Sequence, residues 1–480
     1  MKSSLALALL LAVPALATAQ TPAPAPDFPR GKLVDKVDCA ATPGEAYALY
    51  LPSGYTAERA WPVLYILDPR ARGALAAEKF RAGAEKHGYI LASSYSSQSD
   101  VAVDPNTKAM RAMWTDTHSR FRIDDRRVYA AGFSGTVRAA VSLARAVPGT
   151  LAGIVGAGAG FPFDAPPRKG DPFVFFGTIG TKDFNWYEMM DLEPRLQDTG
   201  IVHRIEIFDG VHQWPPEPLA VRALDWMELQ AMKAGTRPKD PALVEALWKD
   251  TLERARAFES SGDLFLAWRT WSGAAADFAG LRDTAEAAAK SAELKANPAL
   301  QRDLKDREAR IKQDKEFLAR APQALSGVDS EGQAMTLSQV LSALKIRDLK
   351  KKAESAPTED ERLSAQRVLN TLAGQTGFYL PQKFTERKQW DRVVFFLSIA
   401  AEIDPEDYSV FYSRAAAYAQ KGDRKRAIAD LRQAVQKGYK DLPALEKDQA
   451  FNSVRQDEGY KEVVKSLAAA ALATKPGSGG

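Results

Sequence analysis

Short apolar runs rich in β-branched and aromatic residues alternate with helix-length stretches in the first part of the chain. Such runs, bounded by turn residues, predict β-strands. Seven strands are predicted, over residues 47–52, 62–68, 89–96, 127–134, 153–160, 172–180 and 203–210. Most are separated by enough chain for a helix, and this alternation predicts a mostly parallel sheet with helices on both faces.

The pattern changes at residues 236–243, a segment that contains two prolines. Beyond it, nearly every stretch combines Ala, Leu, Glu, Lys, Arg and Gln at helical spacing. Because the chain is too long for one hydrophobic core, two domains are expected. We predict an α/β domain over 34–235, a linker over 236–243 and an all-helical domain over 244–470.

The helical half contains an internal repeat. Four positions recur 34 residues later: Phe384, Val393, Leu397 and Ala400 correspond to Tyr418, Ala427, Leu431 and Ala434. This period is typical of tetratricopeptide repeats. A degenerate third unit has the same kind of spacing at 258, 267, 271 and 274. Since one helix pair cannot bury its apolar face alone, we expect a stacked array that binds a protein partner or shapes substrate access.

The two ends of the chain differ from the rest. Residues 1–19 combine Lys2, an apolar run and a small-x-small cleavage pattern, which is typical of an export signal. We predict a flexible Pro/Ala-rich leader over 20–33 and a disordered tail over 471–480. The protein is therefore expected in the periplasm or outside the cell. No later segment is apolar enough to predict a membrane span.

The composition of the chain argues against several classes of partner and cofactor. A formal charge of +4 over 480 residues gives no basic surface of the kind that nucleic acids require. Four scattered histidines and one cysteine do not form a metal-ligand pattern, and one cysteine cannot form a disulfide within the chain. No phosphate-binding or dinucleotide-binding glycine motif follows a predicted strand. We expect no metal and no cofactor.

A candidate nucleophile follows the fourth predicted strand. The segment GFSGT at 132–136 places Ser134 between two glycines, directly before a helix-type run. It resembles the G-x-S-x-G turn that exposes a nucleophilic serine, except that Thr136 occupies the last glycine position. In parallel sheets, functional groups collect at the carboxyl ends of strands. The alternative is that Ser134 is only a small residue at a tight bend.

A serine needs a base and an acid that orients the base. On this type of sheet the expected chain order is serine, acid, histidine. His87 and His118 precede Ser134, and His203 begins a strand. Only His212 follows the end of the last predicted strand.

Asp183 is the candidate acid, since it comes three residues after the strand 172–180. Asp209 competes for this role, but it lies only three residues before His212 and a turn in the segment FDG explains it. We therefore predict Ser134, Asp183 and His212 as the catalytic residues.

Two further sets of residues are expected near the serine. The oxyanion hole should use the amide of Gly135 and an amide from the loop after strand 62–68, where Pro69 has no N–H and Arg70 or Ala71 is the candidate. For the side chains of Arg70 and Arg72, a role in the site and a place on the solvated surface are equally consistent with the sequence. An aromatic set either lines the substrate site or packs in the core: Phe133, Phe184, Trp186, Tyr187 and Trp214.

The segments LDPRARG, KHGYILASSYSS, RRVYAAGFSGT, GTIGTKDFN and FDGVHQWP occur in this order. Over residues 45–230 they resemble the dienelactone-hydrolase-like carboxylesterase branch of the α/β-hydrolase superfamily. The resemblance implies the α/β-hydrolase fold and a triad of Ser134, Asp183 and His212. Dienelactone hydrolase itself has a cysteine where Ser134 stands, and most relatives have glycine where Thr136 stands. Substrate identity therefore does not carry over.

Two functional hypotheses follow. The first is an exported serine hydrolase that cleaves small-molecule carboxylic esters through an acyl-enzyme. The second is a catalytically inactive α/β-hydrolase platform that acts as a tetratricopeptide adaptor for protein–protein interaction. Labelling of Ser134 by a fluorophosphonate distinguishes them.

Overall fold

The structure is a computed structural model that describes residues 28–101, 103–327 and 333–473, with side chains to residue 470. The predicted export signal at 1–19 lies outside the described residues, as does the end of the predicted tail, 474–480.

Eight strands form one sheet in the order β1-β2-β4-β3-β5-β6-β7-β8. The strands are β1 Leu33–Asp38, β2 Ala46–Tyr50, β3 Trp61–Leu67, β4 Ile90–Ser94, β5 Ile123–Phe133, β6 Gly153–Ala157, β7 Val174–Gly180 and β8 His203–Phe208. β2 is antiparallel to both of its neighbours, and β3 to β8 are parallel. This is the α/β-hydrolase fold. The seven predicted strands are confirmed, and β1 is an additional strand at the sheet edge.

Helices separate most of the parallel strands: α1 Gly73–His87, α2 Asn106–Arg120, α3 Gly135–Ala146, α4 Trp186–Thr199 and α5 Glu217–Lys233. Every residue of β3 is buried, as expected for a central strand covered on both faces. One core joins α1 and α5 to the sheet, with Phe80 and Leu224 packed among strand residues such as Leu64. The carboxyl ends of β3 to β8 therefore lie at one edge of the sheet, where the predicted site residues follow the strands.

The described fold begins before the predicted domain start at residue 34. Phe28 lies 6.0 Å from the Phe121 ring, centroid to centroid, and Arg30 pairs with Leu51 in an isolated bridge. Residues 28–33, which the composition assigned to a flexible leader, thus contact the α/β region. A single aromatic residue within a Pro/Ala-rich stretch gives no periodicity from which this packing could be predicted.

The remaining helices are α6 Pro241–Ser261, α7 Leu264–Asp277, α8 Ala285–Ala296, α9 Pro298–Leu325, α10 Leu337–Ala343, α11 Ile346–Ser355, α12 Glu359–Gly374, α13 Leu380–Thr385, α14 Trp390–Ile403, α15 Tyr408–Lys421, α16 Arg424–Gln436, α17 Leu442–Lys447 and α18 Glu458–Ala473. A π-helical segment, Gln375–Tyr379, joins α12 to α13. No helix in the described part of the chain is long and apolar enough to cross a membrane.

The described residues form two compact units that divide between Ala309 and Arg310. Helices α6 to α8 belong to the first unit, where Leu229 and Met232 of α5 share a core with Trp248 and Trp271. The change of composition at 236–243 thus marks the start of all-helical structure. The division between the two units comes about 70 residues later, after Ala309. Apolar residues of α5 that face α6 and α7 explain the difference.

The second unit contains the recurring positions of the 34-residue period. Seven of the eight residues are buried and Tyr418 is half-buried: Phe384, Val393, Leu397, Ala400, Ala427, Leu431 and Ala434 form the buried set. Phe384 and Tyr418 lie on α13 and α15, the first helices of two consecutive pairs, and the other six residues lie on the second helices, α14 and α16. The tetratricopeptide interpretation of this unit stays a prediction.

Candidate active site

Ser134 lies on a sharp turn between β5 and α3. Its backbone has φ 55° and ψ −133°, a strained conformation for a residue with a side chain. Its amide donates to Ala157 O at 2.8 Å, which holds the turn against the end of β6. A Cβ on Gly132 would lie 2.6 Å from Val137 N, so the turn requires glycine there. The local sequence therefore produces the tight strand-turn-helix geometry that a nucleophile elbow needs.

Thr136, the departure from the glycine pattern, is buried within this turn. Its hydroxyl accepts from the Phe133 amide at 3.0 Å and can donate to Leu67 O at 2.6 Å or Phe133 O at 2.8 Å. Leu67 is the last residue of β3. Thr136 thus fits the elbow and links it to the neighbouring strand.

Asp183 and His212 are in direct contact. His212 Nδ1 lies 2.9 Å and 3.0 Å from the two carboxylate oxygens of Asp183, which is fully buried. The amide of Asn185 donates to Asp183 Oδ1 at 2.8 Å and fixes the carboxylate. An acceptor at Nδ1 favours the tautomer with its proton there and leaves Nε2 unprotonated.

A glycine closes the space beside this pair. Gly158 has φ +64°, and a Cβ there would lie 3.0 Å from His212 Nδ1 and 3.1 Å from Asp183 Oδ2. The loop after β6 therefore approaches the imidazole as closely as a backbone without a side chain permits.

The His212 ring lies close to the turn that carries Ser134. The His212 ring lies between Phe133 and Phe184, at centroid distances of 4.6 Å and 4.0 Å. Phe133 directly precedes Ser134, which is 8% exposed. The described contacts include no hydrogen bond between Ser134 Oγ and His212 Nε2. Such bonds are often long until substrate binds.

Asp209, the competing acid, makes different contacts. Its carboxylate lies 3.0 Å from Lys182 Nζ and accepts from Thr181 Oγ1 at 3.1 Å. Hydrogen bonds from Lys182 and Thr181, with the charge of Lys182, lower the pKa of this exposed carboxyl. Of the two aspartates, Asp183 is the one that contacts His212.

The predicted oxyanion donors are not equally placed. Gly135 is the first residue of α3, where helix amides have no partner within the helix. By contrast, the Arg70 amide donates to Asp68 Oδ1 at 2.8 Å, and the Ala71 amide donates to Asp68 O at 3.1 Å. Either amide would have to leave Asp68 to reach a substrate oxygen.

Asp68 is a site residue that the sequence reasoning missed. It directly follows β3 and is fully buried. Its carboxylate accepts hydrogen bonds from Arg72 Nε and Nη2 at 2.9 Å and from Trp214 Nε1 at 2.9 Å. Burial raises the pKa of this carboxyl, but the hydrogen bonds from Arg72 and Trp214 outweigh it and the pKa is lowered. Asp68 therefore joins the loop that carries His212 to the loop that follows β3.

The aromatic set divides into buried and accessible members. Four side chains are buried: Phe133, Trp186, Tyr187 and Trp214. Only Phe184 is half-exposed, and its ring is tilted by 37° against the His212 ring. Core packing thus explains why aromatic residues occur at the four buried positions. Phe184 is the member of the set that a substrate can reach.

Accessible apolar side chains near this edge come from other positions. Leu75, Val101, Val103, Phe163 and Val211 are all more than 40% exposed, and they follow β3, β4, β6 and β8. A cleft beyond β6 is lined in part by Phe161, Phe163, Leu192 and Arg195. These residues are isolated exposed apolar positions with no periodicity, so the sequence pattern does not reveal them.

Within the described residues, no group of three or more His, Cys, Asp or Glu side chains is arranged to hold a metal ion.

No protein-family model and no curated protein matches the chain. Among solved structures, an S-formylglutathione hydrolase from Staphylococcus aureus is 15% identical, with a TM-score of 0.33, and covers 42% of this chain and 98% of its own. A ferulic acid esterase is 17% identical, with a TM-score of 0.33, covering 41% of this chain and 97% of its own. A fluorophosphonate-binding serine hydrolase from Staphylococcus aureus is 14% identical, with a TM-score of 0.34, covering 42% of this chain and 99% of its own. Because identity and TM-score are low, the activities of these proteins are not carried over to this chain.

Proposed function

We propose that this chain is a serine hydrolase that cleaves carboxylic esters of small molecules. The observation that carries the proposal is the buried Asp183 carboxylate bound to His212 Nδ1, beside a serine on a strained strand-to-helix turn. A carboxylate in this position holds an imidazole in the tautomer that a general base requires.

The reaction proceeds in two halves. His212 Nε2 removes the proton of Ser134 as Oγ attacks the ester carbonyl, and Asp183 stabilises the imidazolium that forms. The imidazolium then protonates the departing alcohol, which leaves an acyl-enzyme. Water, deprotonated by His212, attacks the acyl carbon, and the acid leaves as Ser134 recovers its proton.

The tetrahedral intermediates carry negative charge on the former carbonyl oxygen. The Gly135 amide, at the positive end of α3, is the donor best placed to meet it. We assign the second amide of the oxyanion hole to Arg70 or Ala71. One of these amides would then exchange its hydrogen bond with Asp68 for one with the substrate oxygen.

The apolar residues of the edge suggest the kind of ester. Phe184 contacts the imidazole, and the segments that follow four of the strands expose apolar side chains. These surfaces fit an ester with an apolar acyl or alcohol group. Export, a periplasmic or extracellular location and a protein partner for the helical repeats are retained as parts of the proposal.

Labelling by a fluorophosphonate tests the proposal directly, since such probes phosphonylate an activated serine. We expect the protein to be labelled, Ser134→Ala and His212→Ala to lose labelling, and Asp209→Asn to keep it. Hydrolysis of 4-nitrophenyl esters should follow the same order. A folded protein that neither reacts with the probe nor hydrolyses esters would contradict the proposal and favour the inactive adaptor.

A further inference from the structure

The loop after β4 lies across the start of α3, next to the nucleophile. A Cβ on Gly135 would lie 2.5 Å from Ser99 Cβ and 3.7 Å from Asp100 Oδ2. The amide of Ser99 donates to Pro69 O at 3.3 Å, which holds this loop against the loop after β3. A carboxylate therefore lies beside the backbone group that is expected to bind the oxyanion.

The conformation of Asp100 is specific. Its φ is +58°, and Ser99 Oγ donates to Asp100 Oδ2 at 2.7 Å. Ala71, Asp100 and Ser134 are the residues other than glycine with positive φ in the described part of the first unit, and they follow the adjacent strands β3, β4 and β5. Strained backbone of this kind collects at functional sites.

A negative charge here affects substrates according to their own charge. It opposes an acyl group that bears a carboxylate, and it attracts one that bears an ammonium group. We propose that Asp100 is a specificity-determining residue that selects esters with a cationic group on the acyl side and rejects anionic ones. This inference rests on the proposed ester hydrolysis and adds the charge class of its substrate.

Three 4-nitrophenyl esters with acyl chains of similar length test it: the butanoate, the hemisuccinate and the 4-(trimethylammonio)butanoate. We expect kcat/KM to be highest for the cationic ester and lowest for the hemisuccinate. In Asp100→Asn the ratio of these two values should fall about tenfold, because one full charge has been removed near the reacting carbonyl. Asparagine tolerates positive φ, so the loop should keep its conformation.

Asp198→Asn is the matched control. Asp198 is exposed near the end of α4, at the opposite edge of the sheet, so this variant changes net charge by the same amount away from the site. It should keep the wild-type preference, and added salt should weaken that preference in both proteins. An unchanged ratio in Asp100→Asn, with the three esters still hydrolysed, would overturn this inference alone. Hydrolysis of none of the esters, with no probe labelling, would overturn the proposed function as well.

Discussion

Gly158, which lies beside Asp183 and His212, gives a test at the scale of one residue. Gly158→Ala places a methyl group 3.0 Å from His212 Nδ1, on a backbone with positive φ. The imidazole has to shift, and we expect kcat to fall at least about tenfold, since small displacements of catalytic groups are costly. Steady-state kinetics and thermal unfolding measure the two effects.

Gly149→Ala is the control for backbone strain. Gly149 also has positive φ, +82°, but nothing lies within 4 Å of an added Cβ. Gly149→Ala should lower the free energy of unfolding by about 1 kcal/mol through backbone strain and should keep full activity. The same strain should destabilise Gly158→Ala by a similar amount. Equal loss of activity in both variants would show that strain, and not contact with His212, is responsible.

Asp68 gives a prediction about pH. Because its pKa is lowered in the folded protein, its stabilising effect is present above the pKa of the unfolded carboxyl, about 4, and is lost as pH falls through the folded value. Asp68→Asn should lower the free energy of unfolding by about 2 kcal/mol at pH 7, since it breaks the pair with Arg72. The difference from wild type should shrink below about pH 4.

Denaturant unfolding at several pH values measures this difference. Asp209→Asn serves for comparison, because its pair with Lys182 is exposed and should contribute less than about 1 kcal/mol. A difference for Asp68→Asn that stays constant from pH 7 to about pH 3 would contradict the linkage.

At the scale of an element, α7 contacts the sheet through a partly buried ion pair. Arg204 of β8 contacts Asp277, and Gly273 of α7 leaves room for its guanidinium, which a Cβ would overlap. Alanine normally stabilises a helix by about 1 kcal/mol relative to glycine. Here Gly273→Ala should instead destabilise the protein, by about 2 kcal/mol, because the displaced arginine no longer pairs with the partly buried Asp277.

Thermal or denaturant unfolding checks this sign. Gly54→Ala is the control, since nothing lies within 4 Å of an added Cβ there and φ is not positive. A stabilised Gly273→Ala variant would show that helix propensity outweighs the ion pair.

At the scale of the whole molecule, two truncations test where the first unit ends. A fragment of residues 28–235 would expose Leu229 and Met232 of α5, which share a core with α6 to α8. We expect it to aggregate. A fragment of residues 28–309 keeps that core and should stay monodisperse, fold cooperatively and react with the fluorophosphonate.

Size-exclusion chromatography and probe labelling of both fragments decide this point. A soluble, labelled fragment 28–235 would place the functional boundary at the change of composition. Failure of both fragments would show that residues beyond 309 are needed for folding.

The candidate site was predictable where its residues follow strands. Ser134, Asp183 and His212 each come within four residues of the end of a strand, and the parallel order of the sheet brings such positions to one edge. Asp68 follows a strand in the same way, but its contacts with Arg72 and Trp214 join residues far apart in sequence. No local pattern encodes such pairings.

The sequence alone determined the alternation of strands and helices, because apolar periodicity reflects which faces of each element are buried. It also determined the order of the candidate catalytic residues. Tertiary structure decided which side chains meet: Asp183 rather than Asp209 at His212, Trp214 on Asp68, and Asp100 beside Gly135. Loop packing sets these contacts, and loops carry no periodic signal from which their packing can be predicted.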